Sequence, residues 1–169
     1  MRDTQPQASD QLFGRGISIQ ADRDTGAPAN GAVVGSLIED NHDIGVFLSG
    51  SPTTLTGVVV RNTHARPSDG LFGDGVAVLS SFAPGTSLIE SCVADGNARA
   101  GLSNFGAEVT LGTTELLCNT LNLAGDPFAE HTFGFDDLGG NRCGCGDATE
   151  ACKAATSGLS PPEPAVESP

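Results

Sequence analysis

The amino-acid sequence predicts an all-β solenoid: short strands stacked in about four to five turns, with a cysteine-containing cap at the C-terminal end. Three observations predict it. First, residues 2–20, RDTQPQASDQLFGRGISIQ, align without a gap on residues 61–79, RNTHARPSDGLFGDGVAVL, at a constant shift of 59, with eight identities in nineteen positions. The identities include Ser9/Ser68, Asp10/Asp69, Leu12/Leu71, Phe13/Phe72, Gly14/Gly73 and Gly16/Gly75. A fixed internal period is the sequence sign of a repeat architecture. Second, Gly16, Gly45, Gly75 and Gly101 each precede a short run rich in Val, Ile or Leu, and lie 29, 30 and 26 residues apart. Third, 23 Gly and 10 Pro with no Trp or Tyr suit short strands joined by tight turns, not helices.

The strands follow in order. Gly16-Ile-Ser-Ile, Gly45-Val-Phe-Leu, Gly75-Val-Ala-Val and Gly101-Leu-Ser-Asn make one strand type. Leu37-Ile-Glu-Asp, Val59-Val-Arg-Asn, Leu88-Ile-Glu-Ser and Leu116-Leu-Cys-Asn make a second. A third is expected near Ala32–Gly35, Leu55–Gly57, Ser87 and Val109–Leu111. The shift of 59 is thus two turns. No such unit buries its apolar face alone, so turns must stack and pair in parallel, about 4.8 Å apart. Stacking sets equivalent residues in columns. One is expected to read Arg2, Glu39, Arg61, Glu90, Cys118, with charges alternating until the cysteine; opposite charges on neighbouring strands contribute about 0.2–1 kcal/mol per pair. The next reads Asp3, Asp40, Asn62, Ser91, Asn119, small polar residues suited to a bend.

With its Asn41-His-Asp-Ile-Gly-Val-Phe-Leu type of turn, the stretch from about residue 2 to 125 resembles the right-handed parallel β-helix repeats of pectin-lyase-like proteins. That family includes polysaccharide lyases, hydrolases, epimerases, tailspikes, adhesins and surface proteins. The resemblance implies a right-handed parallel β-helix and leaves the activity open.

Residues 1–125 are expected to form the helix repeats, truncated at the N-terminus because Arg2 aligns with a position that follows a strand. A longer parent, carrying a secretion signal and further turns, is the corresponding expectation. MRDTQPQASD has no apolar region of the kind a signal peptide needs. Residues 126–156, with DPFAEHTFGFDDLGG and Cys143, Cys145 and Cys152, are expected to form the cap. Residues 157–169, SGLSPPEPAVESP, read as a disordered tail.

The net charge of −13, with Lys153 as the only lysine, argues against a nucleic-acid partner, which needs Lys/Arg clusters. No apolar run approaches the length of a spanning helix, so no membrane insertion is expected. Cys143, Cys145, Cys152, Cys92 and Cys118 are disulfide candidates, as befits a small secreted cap. Zinc at Cys143, Cys145 and Cys152 is the other reading; its fourth ligand would be Cys92, Cys118 or His131. Five is odd, so one thiol is left over.

Calcium takes six to eight oxygens, and Asp43 and Asp74 are its candidates. Asp10 and Asp69 recur at the same place in the repeat and are read as turn residues that bond to nearby backbone. Asp74 has Arg15 as its counterpart, so the repeat does not demand it. The resemblance implies that a lyase or epimerase would need an Arg, Lys or Tyr base; His64, Arg66 and Arg99 are the loop candidates. An inverting hydrolase would need two carboxylates about 6.5–9.5 Å apart, for which Asp43 with Asp69 or Asp74 is the choice. The expected role is an extracellular or cell-surface module, structural or interacting. The alternative is a polysaccharide-active enzyme built on these six residues. Expected partners are a polysaccharide or another surface protein, and a second copy through an exposed N-terminal strand edge.

Overall fold

The computed structural model describes residues 1–165 and is all-β, with no helix among the described residues. Each turn contributes one strand to each of three sheets. Sheet I stacks β1 (Ile17–Gln20), β4 (Ile44–Ser49), β7 (Asp74–Leu79), β10 (Ala100–Phe105) and β13 (Leu121–Asp126). Sheet II stacks β2 (Gly31–Val34), β5 (Thr53–Thr56), β8 (Thr86–Glu90), β11 (Glu108–Gly112) and β14 (Gly134–Asp137). Sheet III stacks β3 (Leu37–Glu39), β6 (Val59–Arg61), β9 (Val93–Asp95), β12 (Glu115–Leu117) and β15 (Arg142–Cys145). All these neighbours pair in parallel, giving a β-solenoid of about five turns. Two pieces finish the stack: β16 (Ala148–Glu150), antiparallel to β15, and β17 (Ala154–Ala155), parallel to β13.

Alternating side chains from the three sheets meet inside. Ile38, Val46, Leu48, Leu55, Val60, Val76, Val78, Leu102, Val109, Leu116 and Leu123 form one continuous core, each at most 4% exposed. The four glycines found in the sequence line up beside it. Gly16 lies against Gly45, Gly45 against Gly75, and Gly75 against Gly101. A methyl on Gly75 would stand 2.7 Å from the Gly101 carbonyl oxygen and 2.8 Å from Asn97 Nδ2. Only glycine lets neighbouring turns approach this closely.

The corners carry a second column. Asp3, Asp40, Asn62, Gly96 and Cys118 all have positive φ, between 53° and 62°. Asn and Asp tolerate this conformation better than other side chains. One residue later runs an amide ladder. Asn41 Oδ1 accepts from the Thr4 amide at 3.0 Å, Asn97 Oδ1 from the Thr63 amide at 3.1 Å, and Asn119 Oδ1 from Asn97 Nδ2 at 3.0 Å.

These columns correct two expected alignments. Leu88-Ile-Glu lies in β8 of sheet II, and the strand below Val59-Val-Arg is Val93-Ala-Asp. Arg61 therefore faces Glu39 on one side and Asp95 on the other, so the charge alternation runs through Asp95 and not Glu90. Leu116-Leu-Cys-Asn also slips by one residue, because Leu117 and not Cys118 opposes Asp95. Two adjacent leucines leave the inward position ambiguous, and a one-residue slip exchanges the faces of a strand.

The expected boundary at 126 also moves. Residues 121–145 form a regular fifth turn, which escapes the glycine pattern because Asn122 occupies the place of Gly101. Two disulfides hold this end, Cys118–Cys145 and Cys143–Cys152. The cysteines set aside as zinc ligands are thus bonded to sulfur. Cys92 is free and buried. The expected disordered tail departs most: up to residue 165 it lies along the outer face of sheet I, and residues 166–169 fall outside the described part.

Candidate functional site

The two copies of the long repeat fold alike. In each, a loop leaves sheet III and returns to sheet I through the same bonds: Gln7 amide to Leu12 carbonyl at 2.9 Å, and Arg66 amide to Leu71 carbonyl at 2.9 Å. Asp10 Oδ1 accepts from the Leu12 amide and Asp69 Oδ1 from the Leu71 amide, both at 2.9 Å. Phe13 and Phe72 share a φ of 62°. The loops differ in what they deliver. Arg66 stands where the first copy has Gln7, and Asp74 where it has Arg15.

Those differing positions meet at the corner that leads into sheet I. Arg15 Nε donates to Asp43 Oδ2 at 2.8 Å, and Arg66 Nε lies 3.7 Å from Asp43 Oδ1. Arg99 grips Asp74 through Nε at 2.7 Å and through Nη2. Ser103 Oγ adds a bond to Asp74 Oδ2 at 2.7 Å. Asp43 and Asp74 are both 0% exposed, and Arg15 and Arg66 are 8% and 5% exposed. Aromatic faces make this burial tolerable, since a guanidinium stacks well on a ring. Arg15 sits 4.0 Å from the Phe47 centroid and 4.9 Å from that of Phe13; Arg66 sits 4.6 Å from that of Phe72. Burial pushes the Asp43 and Asp74 carboxyls above the usual range, against the pull of Arg15 and Arg99. Burial likewise pushes the Arg15 guanidinium down.

The outer face of sheet I continues the site. Ile44, Phe47, Phe72, Ala77, Leu79 and Phe105 form a second apolar cluster, separate from the core. The segment 156–165 runs over this face from the fifth turn back to the first. At one end Asp126 receives Ser157 Oγ at 2.6 Å, the Gly158 amide at 3.0 Å and Thr156 Oγ1. Burial would raise Asp126, but the bonds from Ser157, Thr156 and Gly158 outweigh it and hold the carboxyl low. Leu159 packs on the apolar cluster. Glu163 Oε2 pairs with Arg66 Nη1 at 3.1 Å, and its carbonyl accepts from Arg15 Nη2 at 2.6 Å. At the far end the Gln20 amide group brackets Ala165, donating to its carbonyl at 2.8 Å and accepting from its amide at 3.0 Å.

Of the expected residues, the structure brings together Asp43, Arg66, Asp69, Asp74 and Arg99. His64 stands apart: it is exposed on the loop and packs on His42, with ring centroids 5.2 Å apart. The oxygens of Asp43 and Asp74 face guanidinium, hydroxyl and amide hydrogens, a donor set that does not fit calcium. No group of three His, Cys, Asp or Glu side chains able to hold a metal occurs among the described residues. Arg15, Phe47, Asp126 and Glu163 join the site without having been among the expected residues. Arg15 was legible as the partner of Asp74 at the shift of 59. Glu163 was not, because nothing in a proline-rich tail marks where it lands. Comparison with protein-family models, with curated proteins and with solved structures finds no match to this chain.

Proposed function

We propose that the chain is an extracellular or cell-surface β-helix module with a structural or interaction role. The observation that carries this is the state of the two carboxylates best placed for chemistry. Asp43 and Asp74 have no exposed surface and are each bound to arginine, so neither is available as acid, base or nucleophile while the segment 156–165 is seated. Two disulfides suit an oxidising compartment. The stacked parallel coils support kinship with the pectin-lyase-like β-helices, and through it the rival reading of a polysaccharide-active enzyme. A direct assay separates the two. Polyuronates incubated with the protein and millimolar calcium should yield no unsaturated product and no new reducing ends, and calcium should leave the melting temperature unchanged. Turnover abolished by Asp43→Asn would establish the enzyme instead.

The module also offers an edge. β1 and β2 end their sheets, and Val34 in β2 and Leu37 in β3 are 68% and 43% exposed. Strand edges of this kind pair with one another. Sedimentation velocity at rising concentration should show a dimer; a monomer throughout refutes the pairing.

A further inference from the structure

We propose that the outer face of sheet I is a binding groove for an extended, proline-rich peptide bearing one carboxylate, with Arg15 and Arg66 as the carboxylate receptor. Residues 157–165 are its occupant in cis. This names a partner class within the interaction-module reading and rests on it.

The seated segment behaves as a ligand does. It adds no strand to sheet I beyond β17 and is held by side chains of the groove at separate points. Asp126 takes the backbone of Ser157 and Gly158, the apolar cluster takes Leu159, the arginines take Glu163, and Gln20 takes both backbone groups of Ala165. Pro161, Pro162 and Pro164 flank the glutamate. Prolines hold a chain extended without internal hydrogen bonds, which lowers the entropy lost on docking and suits recognition in aromatic-lined grooves.

The repeat itself does not call for an arginine at either place. Arg15 and Arg66 occupy positions where the two copies of the repeat carry different residues, Asp74 and Gln7. The loop bonds are the same in both copies without them. The Arg15 side chain is 4% exposed, and its Nη1 is buried with no hydrogen-bond partner among the described residues. Asp43 lies between the two buried guanidinium groups and Asp69 pairs with Arg66 Nη2, while Arg66 Nη1 and Arg15 Nη2 point into the groove and take the Glu163 carboxylate and carbonyl. Charge also selects the ligand. A net charge of −13 repels a polyuronate, which is anionic at every unit, but tolerates a peptide with a single glutamate among prolines. The cis segment competes at an effective concentration on the order of millimolar, so a trans peptide binds well only once the segment lifts.

The test uses the full chain with Leu159→Ser and Glu163→Gln, which unseat the segment, and a fluorescein-labelled synthetic peptide of sequence TSGLSPPEPA. Fluorescence anisotropy should show at least tenfold tighter binding to this variant than to the unaltered chain. Replacing the peptide's glutamate by glutamine should weaken binding at least tenfold, and Arg66→Gln in the variant should do the same. The peptide change leaves the protein untouched, so it stands even where an arginine variant unfolds. On the unaltered chain, millimolar peptide should speed hydrogen exchange at the Gly158 amide as the segment is displaced. Equal binding of the glutamate and glutamine peptides, no binding at millimolar concentration, unchanged exchange at Gly158, or binding of tetragalacturonate in place of the peptide would each overturn the proposal. Those failures leave the module reading intact, since that reading turns on the polyuronate assay.

Discussion

Aspartates that look interchangeable in composition do different work here. Asp10 and Asp69 cap their own turns, and Asp69 also pairs with Arg66 at 2.7 Å while its side chain stays 36% exposed. Asp74 sits with no exposure against Arg99, Ser103 and the Ala100 amide. Removing one partner of a buried pair strands the other, at a cost of about 3–5 kcal/mol, whereas an exposed pair contributes about 0–1 kcal/mol. Urea unfolding should therefore show Asp74→Ala losing about 3–5 kcal/mol and Asp69→Ala clearly less, since Asp69 is part-exposed and Arg66 keeps Asp43 and Glu163 as partners. Comparable losses would mean that Asp74 is not the buried anchor described. The sequence separated these residues by a simple device. Recurrence at a shift of 59 marked Asp10 and Asp69 as turn residues, and the break in recurrence marked Asp74. It did not mark the bond to Arg99, because the two are 25 residues apart and meet only when turns stack.

At the scale of the strand, close approach between turns is the controlling feature. The glycines at the second position of β4, β7 and β10 leave room for the carbonyl of the next turn and for the asparagine ladder beside it. A methyl group there overpacks a rigid neighbour, which costs about 1–3 kcal/mol. Gly75→Ala should lose that much in urea unfolding, and more than Gly57→Ser, whose counterpart in the same corner of β8 is already Ser91 with φ of 53°. The reverse order would show that the glycine column is not a packing constraint. The same column made β1, β4, β7 and β10 legible in the sequence. β13 was missed because Asn122 replaces the glycine, and β9 because Leu88-Ile-Glu imitates Leu37-Ile-Glu.

For the molecule as a whole, the seated segment joins the last turn to the first. Its anchor at Asp126 depends on charge. The Asp126 carboxyl is held below the usual carboxylate range, so the folded state binds its proton less readily than the unfolded chain does. The stability it contributes is present above the ordinary carboxylate pKa of about 4 and is lost as pH falls through the lowered folded value. Burial shifts Asp43 and Asp74 the other way, so their contribution is full in acid and declines as pH rises through their raised values. Acid should thus loosen the segment before the solenoid. The protection factor of the Gly158 amide should fall below about pH 4 while amides of β7 and β10 stay protected. Asp126→Asn should remove that pH dependence. Simultaneous loss of protection in the segment and in β7 would show one cooperative unit instead.

By itself the sequence determined the repeat, the parallel stack, the turn aspartates and the crowded glycines. Each of these recurs at every turn or every second turn, so the pattern is written several times. Only the tertiary structure decided which cysteines pair, that the coil runs on through residue 145, and that the tail lies over the arginines. These are single contacts between residues up to 148 apart, as between Arg15 and Glu163, and a contact made once leaves no period to detect. Its partner is chosen by where the folded surface offers a complementary charge and an apolar place to rest.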